Sequence, residues 1–308
     1  MKSAALSSSI STIVRPSSAL LALTRAYFGV TSRVLPGVAR RHAERVFTRP
    51  PRYAGRAEVA TPSRRETVVM GRHRLAVWQA GSPGAPAVLL AHGWGGRGVQ
   101  MRHFIAPLLA HGFRVVWFDQ PGHGESGRGF VGLPDLRDAL HAIATTHGPF
   151  TAIVGHSLGA AATALALRSG LAAQQVVLIA PPSSMREHTR HFARLLGLTP
   201  RIREAMRTRL EKRYRVSFDE LDRIEDLARI NTPMLFIHDQ DDPMVPITHS
   251  LRLSAGLPEA RLIRTHGLGH HRILRNEAVV AAAVRFIGGD ASALPDTLPA
   301  LPTPAPLY

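Results

Sequence analysis

The chain has 308 residues, within the range of one large α/β domain or two small ones, and at 45% hydrophobic and 19% charged it can form a full core, so wholesale disorder is excluded. It contains no cysteine, which excludes a disulfide scaffold, a thiol nucleophile and any Cys-ligated zinc or iron–sulfur centre. A formal charge of +16 brings nucleic-acid and membrane binding into consideration.

The charge is uneven. Residues 1–65 hold twelve basic groups, Lys2 to Arg65, against Glu44 and Glu58, a net +10. This arm begins Ser-rich (Ser3, Ser7, Ser8, Ser9, Ser11) with no acid before Glu44, a composition shared with organelle transit peptides. Arg15 and Arg25 interrupt any apolar core that a secretory signal would need. Leu35, Val38, Ala39, Ala43 and Val46 recur at helical spacing with Arg40, Arg41 and Arg45 between them. The pattern predicts a helix packed on the domain, with an anionic membrane surface as its alternative resting place. No specific nucleic-acid partner is expected. The longest low-charge run, Thr151–Leu167, contains Gly155, His156 and Gly159 and reads as strand, turn and helix rather than a membrane span.

From Glu66 onward, short apolar runs alternate with helical patterns. Strands are predicted at Arg72–Ala80, Ala87–Leu90, Phe113–Asp119, Thr151–Val154, Val176–Ile179, Met234–His238 and Arg261–Thr265. Helices are predicted at Val99–Ala110, Pro134–Thr146, Leu158–Ser169, His249–Ala255 and Glu277–Ile287. Continuous apolar strands separated by helices indicate a parallel sheet buried on both faces. Residues 182–230 carry charged helical patterns, among them Arg201–Arg215, and no strand. About fifty residues exceed a plain crossover, so they are expected to form a small helical cap. Residues 289–308, with five prolines from Pro295 to Pro306, are expected to be an exposed, partly polyproline tail.

Gly155-His156-Ser157-Leu158-Gly159 follows one strand and opens a helix. A strand that reverses into a helix this abruptly leaves no room for side chains at Gly155 and Gly159, and it holds Ser157 at the apex. A helix N-terminus there favours developing negative charge. On these residues the chain resembles the α/β-hydrolase superfamily, in particular its lipase- and esterase-like serine hydrolases with a helical cap. The resemblance covers residues 66–288.

Three further motifs occur in the family's order. His92-Gly93-Trp94-Gly95-Gly96 follows the strand Ala87–Leu90; the resemblance makes the backbone N–H groups of Trp94 and Leu158 the oxyanion donors. Asp119-Gln120-Pro121-Gly122-His123-Gly124-Glu125-Ser126 resembles a family loop of structural role, tied by Asp119 and Ser126; His123 looks like a base, but the family does not use it so. His238-Asp239-Gln240-Asp241-Asp242-Pro243-Met244-Val245-Pro246 resembles the family's acid loop, counting back from Val245-Pro246 to Asp242. Asp239 stands where the family has glycine, so Asp239 and Asp241 remain rivals. Gly267-Leu268-Gly269-His270-His271 resembles the histidine loop and implies His270 as base, with His271 as rival.

The resemblance implies an α/β-hydrolase fold and cleavage of carboxylic esters by Ser157, His270 and Asp242 through an acyl-enzyme. The same groups serve an acyltransferase, thioesterase or cofactor-free perhydrolase, and a non-catalytic ligand-binding member is a further alternative. The expected partner is a small-molecule ester or thioester. The sixteen histidines include no H-E-x-x-H, and neither a metal nor a cofactor is expected. A cytoplasmic location is expected, with association or targeting through the basic arm as the alternative.

Overall fold

The run Ala87–Ala91 is apolar throughout and Met234–Asp239 is apolar over its first four residues, and each is buried from end to end. Strands so composed need cover on both faces, and that requirement organises the whole molecule. The computed structural model describes residues 18–51, 59, 61–223, 225–290 and 294–298. Eight strands form one sheet: β1 Arg64–Met70, β2 His73–Ala80, β3 Ala87–Ala91, β4 Arg114–Phe118, β5 Phe150–His156, β6 Ala173–Ile179, β7 Met234–Asp239 and β8 Ala260–Thr265. Their order is β1-β2-β4-β3-β5-β6-β7-β8. β1 and β2 are antiparallel to each other, β2 is antiparallel to β4, and the other pairs are parallel.

The helices are α1 Ser18–Val34, α2 Pro36–Thr48, α3 Arg102–Ala110, α4 Leu133–His147, α5 Leu158–Arg168, α6 Met185–Leu196, α7 Pro200–Tyr214, α8 Phe218–Leu221, α9 Thr248–Ala255, α10 Gly269–Arg272 and α11 Glu277–Ile287. Alternate residues of each inner strand feed opposite cores. Leu89, Val116, Phe118 and Ile153 meet Leu136, Leu140 and Leu165 from α4 and α5. Val88, Leu90, Trp117 and Val154 meet Phe104, Leu108, Ala283 and Phe286 from α3 and α11. Every residue in these two sets is buried, which accounts for the near-continuous apolar pattern of the strands.

Three expectations need correction. First, the structure adds a strand the sequence does not predict, β1, which straddles the expected boundary between arm and domain at residues 65 and 66. Only Val68 of its seven residues is buried; its apolar residues are confined to Val68–Met70 behind the charged Arg64–Glu66, too short a run to stand out as a strand. Second, the arm's helix forms, but its buried face is Ala39, Ala43, Glu44 and Thr48, while Leu35 and Val46 of the expected stripe face solvent. Third, the start of the tail is docked. Arg264 N–H donates to Asp296 O and Leu298 N–H to Arg264 O, both at 2.9 Å, and Leu294 and Leu298 are buried. The remainder of the proline-rich segment lies outside the described residues. Between β6 and β7 the described residues form α6, α7, α8 and a short 3₁₀ turn, Glu225–Arg229, and no strand.

Candidate active site

The parallel strands end on one edge of the sheet, and the residues singled out by the motifs gather there. β5 ends at His156, Ser157 follows, and α5 begins at Leu158. Ser157 has φ 53° and ψ −125°, a conformation that a non-glycine residue adopts only when its surroundings impose it. The constraint is visible on both sides. A Cβ on Gly159 would lie 2.4 Å from the carbonyl oxygens of Ala91 and His92, and one on Gly155 would lie 2.7 Å from Ala160 Cα. The Ser157 N–H donates to Ile179 O at 2.9 Å, which fixes the apex against β6.

The loop after β3 passes directly over this apex: a Cβ on Gly93 would stand 2.8 Å from Ser157 Cβ. Among the described residues, the N–H groups of Trp94 and Leu158 donate no hydrogen bond. Two buried histidines hold the loop. His92 donates from Nδ1 to Gly93 O (2.7 Å) and accepts at Nε2 from Gln120 N–H (2.8 Å). His123 donates from Nδ1 to Pro121 O (2.9 Å) and accepts at Nε2 from Gly95 N–H (3.0 Å). Each ring thus needs one bare nitrogen. Burial agrees, pushing His92 down to about 4 and His123 to about 3.

Asp119 ties the neighbouring loop. It accepts from Gly98 N–H (2.7 Å) and Glu125 N–H (2.8 Å), and burial nevertheless raises its carboxyl above the usual range. Ser126 donates to Asp119 O and accepts from Ala76 N–H.

After β7 the three neighbouring carboxylates take different partners. Asp239 is fully buried and accepts from Thr265 Oγ1, Leu268 N–H and Asp241 N–H. Asp241 is exposed and accepts from Gly267 N–H. Asp242 accepts from Met244 N–H (2.8 Å) and Val245 N–H (3.0 Å) on one oxygen and from His270 Nδ1 (2.6 Å) on the other. Burial by itself raises the Asp242 carboxyl, but the His270 bond and charge and the two N–H groups outweigh it, so it lies below its usual range. His238 braces this loop, donating from Nε2 to Val245 O (2.8 Å) and accepting at Nδ1 from Ser250 Oγ (2.6 Å).

His270 lies in α10, buried, with His156 beneath it. His156 donates from Nε2 to His270 O at 2.9 Å, and the two rings are 4.8 Å apart. His271 stands edge-on to His270, 5.1 Å away, and burial pushes it down to about 4. No hydrogen bond joins Ser157 Oγ to His270 among the described residues. An open cavity of about 530 Å³ lies beside the acid loop, between Val245 and α6, with Arg190, Arg194 and Arg203 on its wall. No cluster of His, Asp and Glu that could hold a metal ion occurs among the described residues.

The sequence motifs thus bring Asp242 and His270 into contact and set Ser157 under the loop that carries Trp94. The sequence alone gives no positioning part to His92, His123, His156 or His238; the structure does. Each lies inside or beside a motif, but residue type alone does not separate a brace from a base.

An elbow serine under a glycine loop, at the carboxyl edge of an eight-stranded mostly parallel sheet, defines a hydrolase of the α/β class. The chain belongs to the alpha/beta hydrolase family, which it matches over residues 88–283. It is 27% identical over 242 residues to a candidate carbamate hydrolase, RutD, of Cronobacter sakazakii, covering 61% of this chain and 85% of that one. Over a stretch of 55 residues it is 47% identical to epoxide hydrolase A of Mycobacterium tuberculosis, 18% of this chain and 17% of that one. Among solved structures, a serine hydrolase of Cycloclasticus zankles superposes with a TM-score of 0.59 at 17% identity, over 75% of this chain and all of that one, a likeness of fold alone.

Proposed function

We propose that the protein is a serine hydrolase that cleaves small carboxylic esters. The observation that carries this reading is the buried 2.6 Å bond from His270 Nδ1 to Asp242, which fixes the ring tautomer and leaves Nε2 as the basic nitrogen, at the sheet edge that also carries the strained Ser157. His270 Nε2 takes the proton of Ser157 Oγ as the oxygen attacks the acyl carbon. The Ser157–His270 hydrogen bond forms as substrate binds; such bonds are often long in the free enzyme. The N–H groups of Trp94 and Leu158 receive the oxyanion, aided by the N-terminus of α5. His270 then protonates the leaving alcohol, and a water activated by the same nitrogen releases the acid. Asp242, held ionised, stabilises the imidazolium.

The match to a candidate carbamate hydrolase favours a second reading in which the acyl group is carbamic. The same groups and the same acyl-enzyme serve it. A fluorophosphonate probe should label the parent protein and not Ser157→Ala, and an activated short-chain ester should give a burst of alcohol. Equal labelling of the two proteins would sink the proposal. Parallel assays with matched ester and carbamate substrates decide between the readings.

A further inference from the structure

The buried face of α1 is narrow. Phe28 and Ser32 are buried and Arg25 Nε donates to Leu195 O of α6 at 3.0 Å, so the helix rests on α6 in a fixed orientation. Its opposite face carries Leu20, Leu23, Tyr27, Val30 and Val34, between 40% and 69% exposed. These five recur at spacings of three and four, one continuous apolar stripe about 21 Å long at 1.5 Å per residue. Singly exposed apolar residues are ordinary; a row of five on one helix face is not.

The surroundings of the stripe are basic. Tyr27 stacks on His42 of α2, with ring centres 5.8 Å apart, so the stripe borders the outer face of α2. That face presents Arg41, His42, Arg45, Val46 and Arg49 to solvent. The one acid in residues 18–51, Glu44, is buried and bridged by Arg40 and Arg209. Arg41, Arg45 and Arg49 form no ion pair among the described residues. Residues 1–17 add Lys2 and Arg15 and no acid to the sequence.

We infer that the outer face of α1, with the arginines of α2 beside it, docks on an anionic phospholipid surface, the stripe entering the headgroup–acyl boundary and the arginines meeting phosphates. Apolar stripe and cationic border together are the chemistry of an interfacial helix. The face differs from the one expected from sequence: Ala39 and Ala43 of α2 are covered, and the free apolar face belongs to α1. No described helix is long and apolar enough to cross a membrane, and the inferred contact is peripheral. A second copy of this chain fits less well. The stripe covers two heptads, fewer than a coiled coil sustains, and its flanking Thr24, Ala26, Thr31 and Arg33 supply no acid to pair with arginines across a dimer.

Co-sedimentation of the full chain with phosphatidylcholine vesicles, with and without phosphatidylglycerol, tests this. Binding is expected only with phosphatidylglycerol and should weaken as salt rises. The Leu23→Asp, Val30→Asp double variant should lower it at least about tenfold, with the thermal unfolding curve retained because both side chains face solvent. Arg41→Ser with Arg45→Ser should weaken binding and flatten its salt dependence. Absence of sedimentation, equal binding to both vesicles, or undiminished binding of the aspartate variant overturns the inference. So does a lipid-free dimer in light scattering that the aspartate variant converts to monomer, which would assign the stripe to self-association.

Discussion

His156 Nε2 lies 2.9 Å from the backbone carbonyl of His270, a contact that spans 114 positions of sequence and joins the residue before the elbow serine to the histidine bound to Asp242. Burial drives the His156 ring well below its ordinary value, so it is neutral and holds this bond as a fixed donor. In the proposed mechanism the ring positions His270 and takes no part in proton transfer.

His156→Ala should therefore lower kcat for ester cleavage about tenfold with little change in KM, by releasing the backbone that aims the His270 ring. It should also cost on the order of 1–3 kcal/mol for the unpaired carbonyl. Steady-state kinetics with a soluble ester, alongside urea unfolding, measure both. An unchanged kcat would remove the positioning part.

The three carboxylates after β7 should separate cleanly. Asp242→Asn keeps the fold and should lower kcat by about 10³–10⁴-fold, because the ring loses its ionised partner. Asp239→Asn breaks a buried set of three donors and should cost about 2 kcal/mol of stability, with a much smaller effect on kcat. The reverse ranking in paired activity and unfolding assays would reassign the acid.

Backbone strain at Ser157 gives a prediction independent of catalysis. With φ at 53°, alanine inherits the strain and glycine relieves it. Ser157→Gly should be more stable than Ser157→Ala by roughly 1 kcal/mol, net of glycine's greater unfolded-state entropy. Both variants should be inactive. A less stable glycine variant would mean that the elbow is not strained.

Gly159→Ala should destabilise by about 3 kcal/mol, since its methyl would sit 2.4 Å from two backbone oxygens that have no room to move. A denaturation midpoint equal to that of the parent would show that β3 can shift away.

Stability should fall as the medium is acidified below the ordinary histidine value of 6.5. His92 and His123 are held neutral in the fold, at about 4 and about 3, so the unfolded chain binds protons first. Their contribution is fully present above 6.5 and is lost progressively as pH falls toward those lower values. For His92 the full loss is on the order of 3 kcal/mol. Urea midpoints from about pH 7 to about pH 4.5 should decline, and His92→Gln should flatten the decline; a level profile in the parent contradicts the arrangement.

Much of this molecule is written locally. The elbow is legible because Gly155 and Gly159 are demanded by sterics within five residues, and β3 and the first four residues of β7 are legible because a strand covered on both faces is apolar over the stretch that enters the core. The order of motifs along the chain places the serine, the acid and the histidine. What tertiary structure alone decided concerns groups whose partners lie far away in sequence. β1 buries only Val68 and owes its existence to pairing with β2. Asp239, Asp241 and Asp242 are one residue type within four positions, and only the loop after β8 determines which of them meets His270. Leu294 and Leu298 are pinned by Arg264 of β8, and the apolar row on α1 is left bare because α6 takes the opposite side. The physical reason is common to all of these: a residue's own chemistry sets its preference for burial or for a turn, whereas the identity of its partner depends on which backbone arrives beside it.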